Sequence, residues 1–203
     1  MLALVSDAAE LADVIARAQR REPAAFDALI NAYSARLYGY FYRLTGSRHD
    51  AEDLLQEVFI RLVRMIQRYQ HDGRFEGWLF RIATNLVRDR VRRSKTGRLA
   101  ADPAGTRGGR NEAESMGDQP DPAAERPSAS LERAENIDRL QQAIGELPEA
   151  EREVILLRHF AQLSFREIAE QMGTPLGTAL ARAHRGLAKL RELMGDVQPR
   201  HER

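Results

Sequence analysis

The clearest fold signal in this 203-residue chain is Ser164–Leu190, SFREIAEQMGTPLGTALARAHRGLAKL. Ser164 and Glu167 form a capping box, which predicts the start of a short helix. Gly173 then turns the chain, and Pro175 opens a longer helix that is rich in arginine. A short helix, a glycine turn and a longer basic helix are typical of a helix-turn-helix. We therefore expect a helical C-terminal domain with a helix-turn-helix at its end.

The longer helix carries a local excess of positive charge, although the whole chain has a net charge of only +1. No acid lies between Thr174 and Arg191, whereas the preceding short helix contains Glu167 and Glu170. This asymmetry suits a recognition helix that lies against phosphates, although a solvated helix face would show the same charges. The basic residues of the longer helix are Arg182, Arg185, Lys189 and Arg191.

Two further helices are expected ahead of the helix-turn-helix, and a linker ahead of them. The helices run from about Leu131 to Ile144 and onward from Pro148. Residues 95–130 are rich in glycine and proline and nearly free of large apolar side chains, which predicts a flexible linker. Its second half, Asn111–Glu125, has five acids and no base.

Residues 1–94 predict four more helices and no strand, so we expect the chain to be all-α. Two small helical domains follow, a four-helix N-terminal domain (1–94) and a C-terminal domain (131–203), joined by the flexible linker. Gly46 is expected to end the second helix, and Asp50 to cap the third. The four helices are expected at about Ala8–Arg20, Pro23–Leu44, Asp50–Tyr69 and Phe75–Arg93.

Composition excludes several classes of function. Hydrophobic residues make up 43% and charged residues 30% of the chain, and no cysteine is present. No apolar run approaches the ~20 residues that a membrane helix needs. The five histidines lack metal-ligand spacing, and no phosphate loop or nucleophile motif is present. We therefore expect no catalytic residue, no metal site, no cofactor and no membrane insertion, together with a cytoplasmic location.

The helix expected at Phe75–Arg93 has a polar stripe opposite an apolar one. Such a basic face would follow a nucleic-acid backbone, and Asn85 could contact a base edge. Aromatic residues interleaved with arginines, such as Trp78 beside Arg81, favour unstacked single-stranded bases over duplex DNA. A solvated face and a packed tryptophan are the plainer alternatives. The polar stripe is Arg81, Asn85, Arg88 and Arg92, and the residues around the preceding loop are Tyr69, Arg74, Phe75, Trp78 and Phe80.

Several runs resemble one protein family, the sigma factors of bacterial RNA polymerase. Asp50–Phe59, DAEDLLQEVF, is similar to their polymerase-binding helix, and Phe75–Asn85, FEGWLFRIATN, is similar to the segment that follows it. Leu147–Val154, Leu163–Glu170 and Gly177-Thr178 resemble their C-terminal promoter-reading domain. No segment resembles the domain usually found between them, which is the pattern of the small extracytoplasmic-function subgroup.

The resemblance implies a role for each domain. The region 2-like domain, 1–94, would bind the coiled coil of the largest polymerase subunit, open the −10 element and capture a flipped base. The region 4-like domain, 131–203, would read the −35 element and meet the polymerase flap with its acidic short helix. The implied polymerase-binding residues are Asp50, Glu52, Asp53, Gln56 and Phe59. The implied −10 DNA-binding residues are Tyr69, Arg74, Phe75, Trp78, Arg81, Asn85, Arg88 and Arg92, and the −35 DNA-binding residues are Thr178, Arg182, Arg185 and Lys189.

The resemblance also implies further partners and marks one departure. In this subgroup the controlling partner is often an anti-sigma factor, and the acidic linker would imitate the charge of nascent RNA. After Gly177-Thr178 the family commonly continues with Val, Lys and Ser, whereas this chain has Ala179, Leu180 and Ala181. These residues would contact thymine methyls or pack against a partner.

Two other functions fit the residues. A stand-alone helix-turn-helix regulator would sense or dimerise through its N-terminal helices and need no polymerase, but the run Asp50–Phe59 argues against it. A helical interaction module without a nucleic-acid role would show no salt-dependent DNA binding, even with polymerase present.

Overall fold

The computed structural model describes residues 8–100 and 127–195, with side chains for residues 8–93 and 135–195. These residues are helical without any strand, which confirms the all-α prediction. None of the described helices is both long and apolar enough to cross a bilayer. The helices are α1 Ala8–Gln19, α2 Pro23–Thr45, α3 Arg48–Met65, a 3₁₀ helix Ile66–Arg68, α4 Phe75–Ala100, α5 Pro127–Gly145, α6 Glu149–Phe160, α7 Phe165–Met172 and α8 Leu176–Met194.

Helices α4 and α5 both extend into the range that the sequence assigns to the linker. α4 continues to Ala100, and α5 begins at Pro127. The prediction of a flexible linker for residues 101–126, including the acidic stretch Asn111–Glu125, lies outside the described residues.

Local capping signals fix several of the described helix ends. Gly46 ends α2 in a left-handed conformation with φ of 69°, and the capping box between Ser164 and Glu167 opens α7, as predicted. The prediction that Asp50 caps α3 is wrong. Ser47 is the cap, because its hydroxyl accepts a hydrogen bond from the backbone N–H of Asp50 at 3.2 Å. Asp50 instead lies in the first turn, where its charge favours the positive end of the helix.

The N-terminal domain buries one face of α4 against α2 and α3. The apolar stripe of α4 is buried, and Thr84 is its buried polar residue. The hydroxyls of Tyr40 and Thr84 form a hydrogen bond of 2.9 Å, which satisfies both groups inside the core. The buried stripe of α4 comprises Phe75, Leu79, Ile82 and Leu86.

The C-terminal domain is built on a close crossing of α6 and α8. A Cβ atom at Gly186 would lie 2.6 Å from Cδ1 of Ile155 and 3.3 Å from Cβ of Glu151. Glycine at this position therefore lets α8 approach α6, which holds the longer helix of the helix-turn-helix in place.

The two domains also pack against each other, chiefly through α2 and α6. A Cβ atom at Gly39 in α2 would lie 2.6 Å from the ring of Phe160, so the glycine makes room for that ring. Arg36 donates a hydrogen bond from Nε to the carbonyl oxygen of Phe160 at 2.8 Å and pairs through Nη1 with Glu76 at 2.6 Å. Gln141 of α5 adds a hydrogen bond to the carbonyl oxygen of Tyr42 at 3.2 Å.

Candidate nucleic-acid interface

The polar stripe predicted on α4 is exposed along its whole length. Arg81, Asn85, Arg88 and Arg92 all face solvent, whereas the opposite apolar stripe is buried. The helical period therefore places three guanidinium groups and one carboxamide on a single surface. Guanidinium groups pair with phosphates, and a carboxamide can both donate to and accept from a base edge.

Three aromatic rings form a cluster at the start of α4. The ring centroids of Tyr69 and Trp78 lie 4.6 Å apart, and Phe75 lies 5.5 Å from each of them. Phe75 is only 1% exposed and supports the cluster from below, whereas Trp78 is half-buried. Burial raises the pKa of Tyr69 to about 12. Tyr69 is only 9% exposed, so Trp78 is the more accessible of these two rings.

A cleft of about 360 Å³ opens beside this ring cluster. One wall belongs to the loop before α4 and to α4 itself, and the other belongs to α7 and to Leu163 in the loop before it. The cleft combines aromatic faces with guanidinium groups, the surface that a stacked, unpaired base requires. Its N-terminal wall includes Tyr69, Asp72, Arg74, Trp78 and Arg81, and its C-terminal wall is Leu163, Glu167, Glu170 and Gln171.

The C-terminal wall contacts the predicted −10 surface directly. Gln171 donates a hydrogen bond from Nε2 to the hydroxyl of Thr84 at 3.1 Å, one residue before Asn85. Glu170 lies 4.0 Å from the guanidinium of Arg74. The short helix of the helix-turn-helix thus closes one side of the cleft.

A second carboxylate of the C-terminal domain pairs with the α4 stripe. Arg88 donates from Nη2 to Oε1 of Glu153 at 2.8 Å, and the charge of Arg182 also acts on this carboxylate. Burial raises the pKa of Glu153, and Arg88 opposes that shift. Glu153 therefore interacts both with Arg88, which the sequence assigns to the −10 element, and with Arg182, which it assigns to the −35 element.

The predicted polymerase-binding residues form an acidic surface at the start of α3. Glu52, Asp53 and Gln56 are exposed, whereas Asp50 and Phe59 are half-buried. Phe59 packs against the hydrophobic core of the N-terminal domain. The helix start therefore offers three exposed polar side chains, backed by partly buried neighbours.

Arg90 of α4 pairs with acids of this surface, and the sequence pattern alone did not identify it. It pairs with Asp50 and lies 3.6 Å from the carboxylate of Asp53. Helical spacing could have identified this residue. Arg90 follows Leu86 by four residues, so it continues the buried stripe of α4 rather than the exposed one. An arginine in that position faces the neighbouring helix and needs an acid there.

The predicted −35 residues lie on one side of α8. Arg185 pairs with Glu151 of α6 at 2.9 Å, and Lys189 pairs with Glu192 at 3.2 Å. Thr178 and Arg182 are half-buried. All four therefore share a face that is at least partly open to solvent.

The three residues after Thr178 that differ from the family pattern lie partly in the core and partly on the surface. Ala179 is fully buried and belongs to the packing of α8. Leu180 is 44% exposed, and Ala181 is exposed beside it. Leu180 and Ala181 therefore change the outer face of α8, whereas Ala179 does not.

Comparison with known proteins agrees with this architecture. The sequence model of Sigma-70 region 2 matches residues 29–96, and that of Sigma-70, region 4 matches residues 137–190. The chain is 37% identical to the ECF RNA polymerase sigma factor SigW of Bacillus subtilis, over 90% of this chain and 96% of that protein. It is 32% identical to the RNA polymerase sigma-H factor of Pseudomonas aeruginosa, over 85% of this chain and 87% of that protein.

Solved structures show the same fold. The sigma factor RpoE from Bartonella quintana, solved in complex with the anti-sigma factor NepR, superposes with a TM-score of 0.64 at 20% identity. The superposition covers 85% of this chain and 98% of that one. The two region matches and the extended identity to curated sigma factors settle the assignment. The chain belongs to the extracytoplasmic-function (ECF) family of RNA polymerase sigma factors.

Proposed function

We propose that this chain binds core RNA polymerase through the start of α3 and directs it to promoters through two DNA surfaces. The exposed acids around Asp53, with Gln56, engage the coiled coil of the largest subunit. The cleft beside Trp78 and the α4 stripe take the melted −10 element, and α8 takes the −35 element. Members of the family are non-enzymatic initiation factors, so the chain acts by binding alone, in the compartment where the polymerase works, the cytoplasm.

The observation that carries this proposal is the α4 stripe together with the N-terminal wall of the cleft, which belongs to the same domain as the stripe. The stripe supplies guanidinium groups for a single-stranded backbone, and the cleft supplies rings for stacking an unpaired base. The stripe alone would also suit duplex DNA, whereas rings for stacking have no partner in a fully paired duplex.

Promoter binding requires the two domains to separate. Arg88 pairs with Glu153 and Arg185 pairs with Glu151, two residues apart on α6, so the −10 and −35 surfaces lie close together in this structure. The −10 and −35 elements are separate stretches of promoter DNA, and duplex DNA rises about 3.4 Å per base pair. The domains cannot reach both elements while they remain packed. The structure therefore corresponds to a state outside the promoter complex.

The closed arrangement also suggests how an inhibitor would act. The sigma factor RpoE of Bartonella quintana was solved with an anti-sigma factor. A partner of that kind would need only to favour the packed state of this chain, in which Arg88 is already paired with Glu153 and the C-terminal domain closes one side of the cleft.

Run-off transcription from a pool of random DNA fragments tests the proposal. Core polymerase with the chain should start transcripts at sites that share −10 and −35 elements, and Arg182→Ala should weaken dependence on the −35 element. Salt-dependent DNA binding by the chain alone, without transcription, would indicate a stand-alone regulator instead. No DNA binding under either condition would indicate an interaction module.

A further inference from the structure

Helix α1 lies before the segment that matches Sigma-70 region 2, and none of the assigned DNA or polymerase contacts uses it. Its last residue nevertheless reaches the loop that leads to the cleft. Gln19 donates two hydrogen bonds from Nε2, one to the carbonyl oxygen of Ile66 at 3.1 Å and one to that of Tyr69 at 2.6 Å.

These two carbonyl oxygens flank the 3₁₀ helix Ile66–Arg68. Tyr69 follows the last residue of that helix, so its carbonyl has no partner within the helix, whereas Ile66 is the first residue of the helix. Ile66 also accepts the backbone N–H of Tyr69 at 3.1 Å, which closes the turn. A side-chain carboxamide carries two N–H groups on one nitrogen, so Gln19 can serve both carbonyls at once.

The position of Tyr69 decides the shape of the cleft. Its ring packs on Trp78 at 4.6 Å, and its hydroxyl lies 3.3 Å from Nδ1 of His71. Tyr69, Gln70, Asp72 and Arg74 all line the cleft. A shift of the Tyr69 backbone would therefore move both the aromatic wall and the loop that carries Arg74.

Helix α1 is held firmly enough to act as a support. Val14, Ile15 and Ala18 are buried against the rest of the domain. Arg17 pairs with Glu22 at 2.8 Å across the turn to α2. The carboxamide of Gln19 is thus presented from a fixed element rather than from a free end.

We propose that Gln19 is a positioning residue for the −10 cleft, which makes α1 a structural support of the base-binding loop. The inference rests on the proposed function of the cleft. It predicts that loss of the two hydrogen bonds disturbs base capture while the acidic surface on α3 keeps its affinity for polymerase.

The first test measures the loop in the free, full-length chain. Gln19→Met keeps the length of the side chain and removes both donors, and Gln19→Glu keeps polarity but presents no N–H. Trp78 is the single tryptophan of the chain, so its emission reports the ring cluster. We expect both variants to shift this emission and to speed amide exchange over residues 66–74 by about tenfold. Emission and exchange equal to those of the wild type would overturn the proposal.

A matched control separates positioning from general loosening of α1. Arg21 donates from Nη2 to the side chain of Gln67 at 3.2 Å, an exposed contact with the same 3₁₀ helix that touches no backbone carbonyl. Arg21→Ala should leave the Trp78 emission and the exchange of residues 66–74 unchanged. An equal effect of Arg21→Ala would contradict a specific role for Gln19.

The second test measures base capture with core polymerase present. A pool of single-stranded oligonucleotides with a randomised segment is selected on the wild-type holoenzyme, and the selected sequence becomes the probe. We expect Gln19→Met to bind core polymerase within about twofold of the wild type and the probe about tenfold more weakly. Unchanged probe affinity would overturn the role of Gln19. Failure of the wild type to select any sequence would count against the proposed function, and the exchange measurement then decides on Gln19 separately.

Discussion

Arg88 of α4 and Glu153 of α6 form a 2.8 Å ion pair that joins the two domains. The side chain of Glu153 is only 13% exposed and that of Arg88 43% exposed, so the carboxylate is the more desolvated partner. The pair uses an arginine that the proposed function assigns to promoter DNA. Closing the domains and binding the −10 strand therefore compete for the same guanidinium group.

Glu153→Gln should weaken the closed arrangement without changing the shape of α6. Since Arg88 can regain water, we expect a cost to closure of about 1 kcal/mol, or about a fivefold fall in the ratio of closed to open molecules. The chain has no cysteine, so a dye pair at Ala24→Cys and Ala188→Cys, both exposed positions, reports the distance between the domains.

The matched control is Glu151→Gln, because Glu151 pairs with Arg185 inside the C-terminal domain. It should leave the distance between the dyes as it is in the parent chain. A Glu153→Gln protein whose dye distances match those of the parent would show that the ion pair does not hold the domains together.

Gly39→Ala should also separate the two domains, because the added methyl group would clash with the ring of Phe160. The added Cβ would lie 2.6 Å from the ring of Phe160, while α2 itself should gain about 0.5–1 kcal/mol from replacing a glycine inside a helix. We expect a longer distance between the two dyes with no loss of helix content by circular dichroism.

Gly186→Ala provides the contrasting case. It introduces an equally close contact with Ile155, but within the C-terminal domain. Overpacking there should lower the free energy of unfolding by roughly 1–3 kcal/mol while the domains stay together.

Domains that stay packed in Gly39→Ala would contradict the role given to Phe160.

Arg90→Ala should weaken binding to core polymerase, although Arg90 itself need not touch the polymerase. It pairs with Asp50 and Asp53 and so holds the acidic surface in place. We expect about a fivefold loss of affinity, measured by fluorescence anisotropy of labelled protein titrated with core polymerase. Arg92→Ala removes a charge from the opposite side of α4 and should leave this affinity unchanged. Equal loss in both variants would argue against a positioning role for Arg90.

Asn85→Ala should relax the preference for the −10 sequence and leave polymerase binding intact. Asn85 is exposed in the middle of the α4 stripe, where its carboxamide can read a base edge. Loss of such a contact costs about 1–3 kcal/mol of discrimination. The measurement is the affinity of the holoenzyme for the preferred −10 strand and for single-base variants of it. An undiminished preference would remove Asn85 from the readout.

Local signals predicted most of the fold, because a helix end depends on a few neighbouring residues. Gly46 and the Ser164–Glu167 capping box were read correctly. Asp50 was read wrongly as a cap because the helix begins earlier: Ser47 accepts the backbone N–H of Asp50, which places Asp50 inside the first turn. Periodicity also placed the exposed stripe of α4 correctly, since every member lies on the same helical face.

Contacts between distant segments could not be predicted in the same way. Arg88 and Glu153 are 65 residues apart, and Arg36 and Phe160 are 124 residues apart. Nothing in a single sequence states which exposed faces of two separate domains will meet. Gly39 illustrates the gap, because a glycine inside a helix shows that something approaches closely but does not say what.

Co-elution of the purified chain with core RNA polymerase on a size-exclusion column tests whether the chain binds the polymerase through α3. The wild type and Asp27→Ala, an exposed acid on α2, should co-elute with the polymerase, whereas Asp53→Ala/Gln56→Ala should elute alone. The double variant leaves the DNA surfaces intact, so its failure would locate the contact on α3. A wild-type chain that elutes apart from the polymerase, or a double variant that binds as tightly as the wild type, would contradict the account.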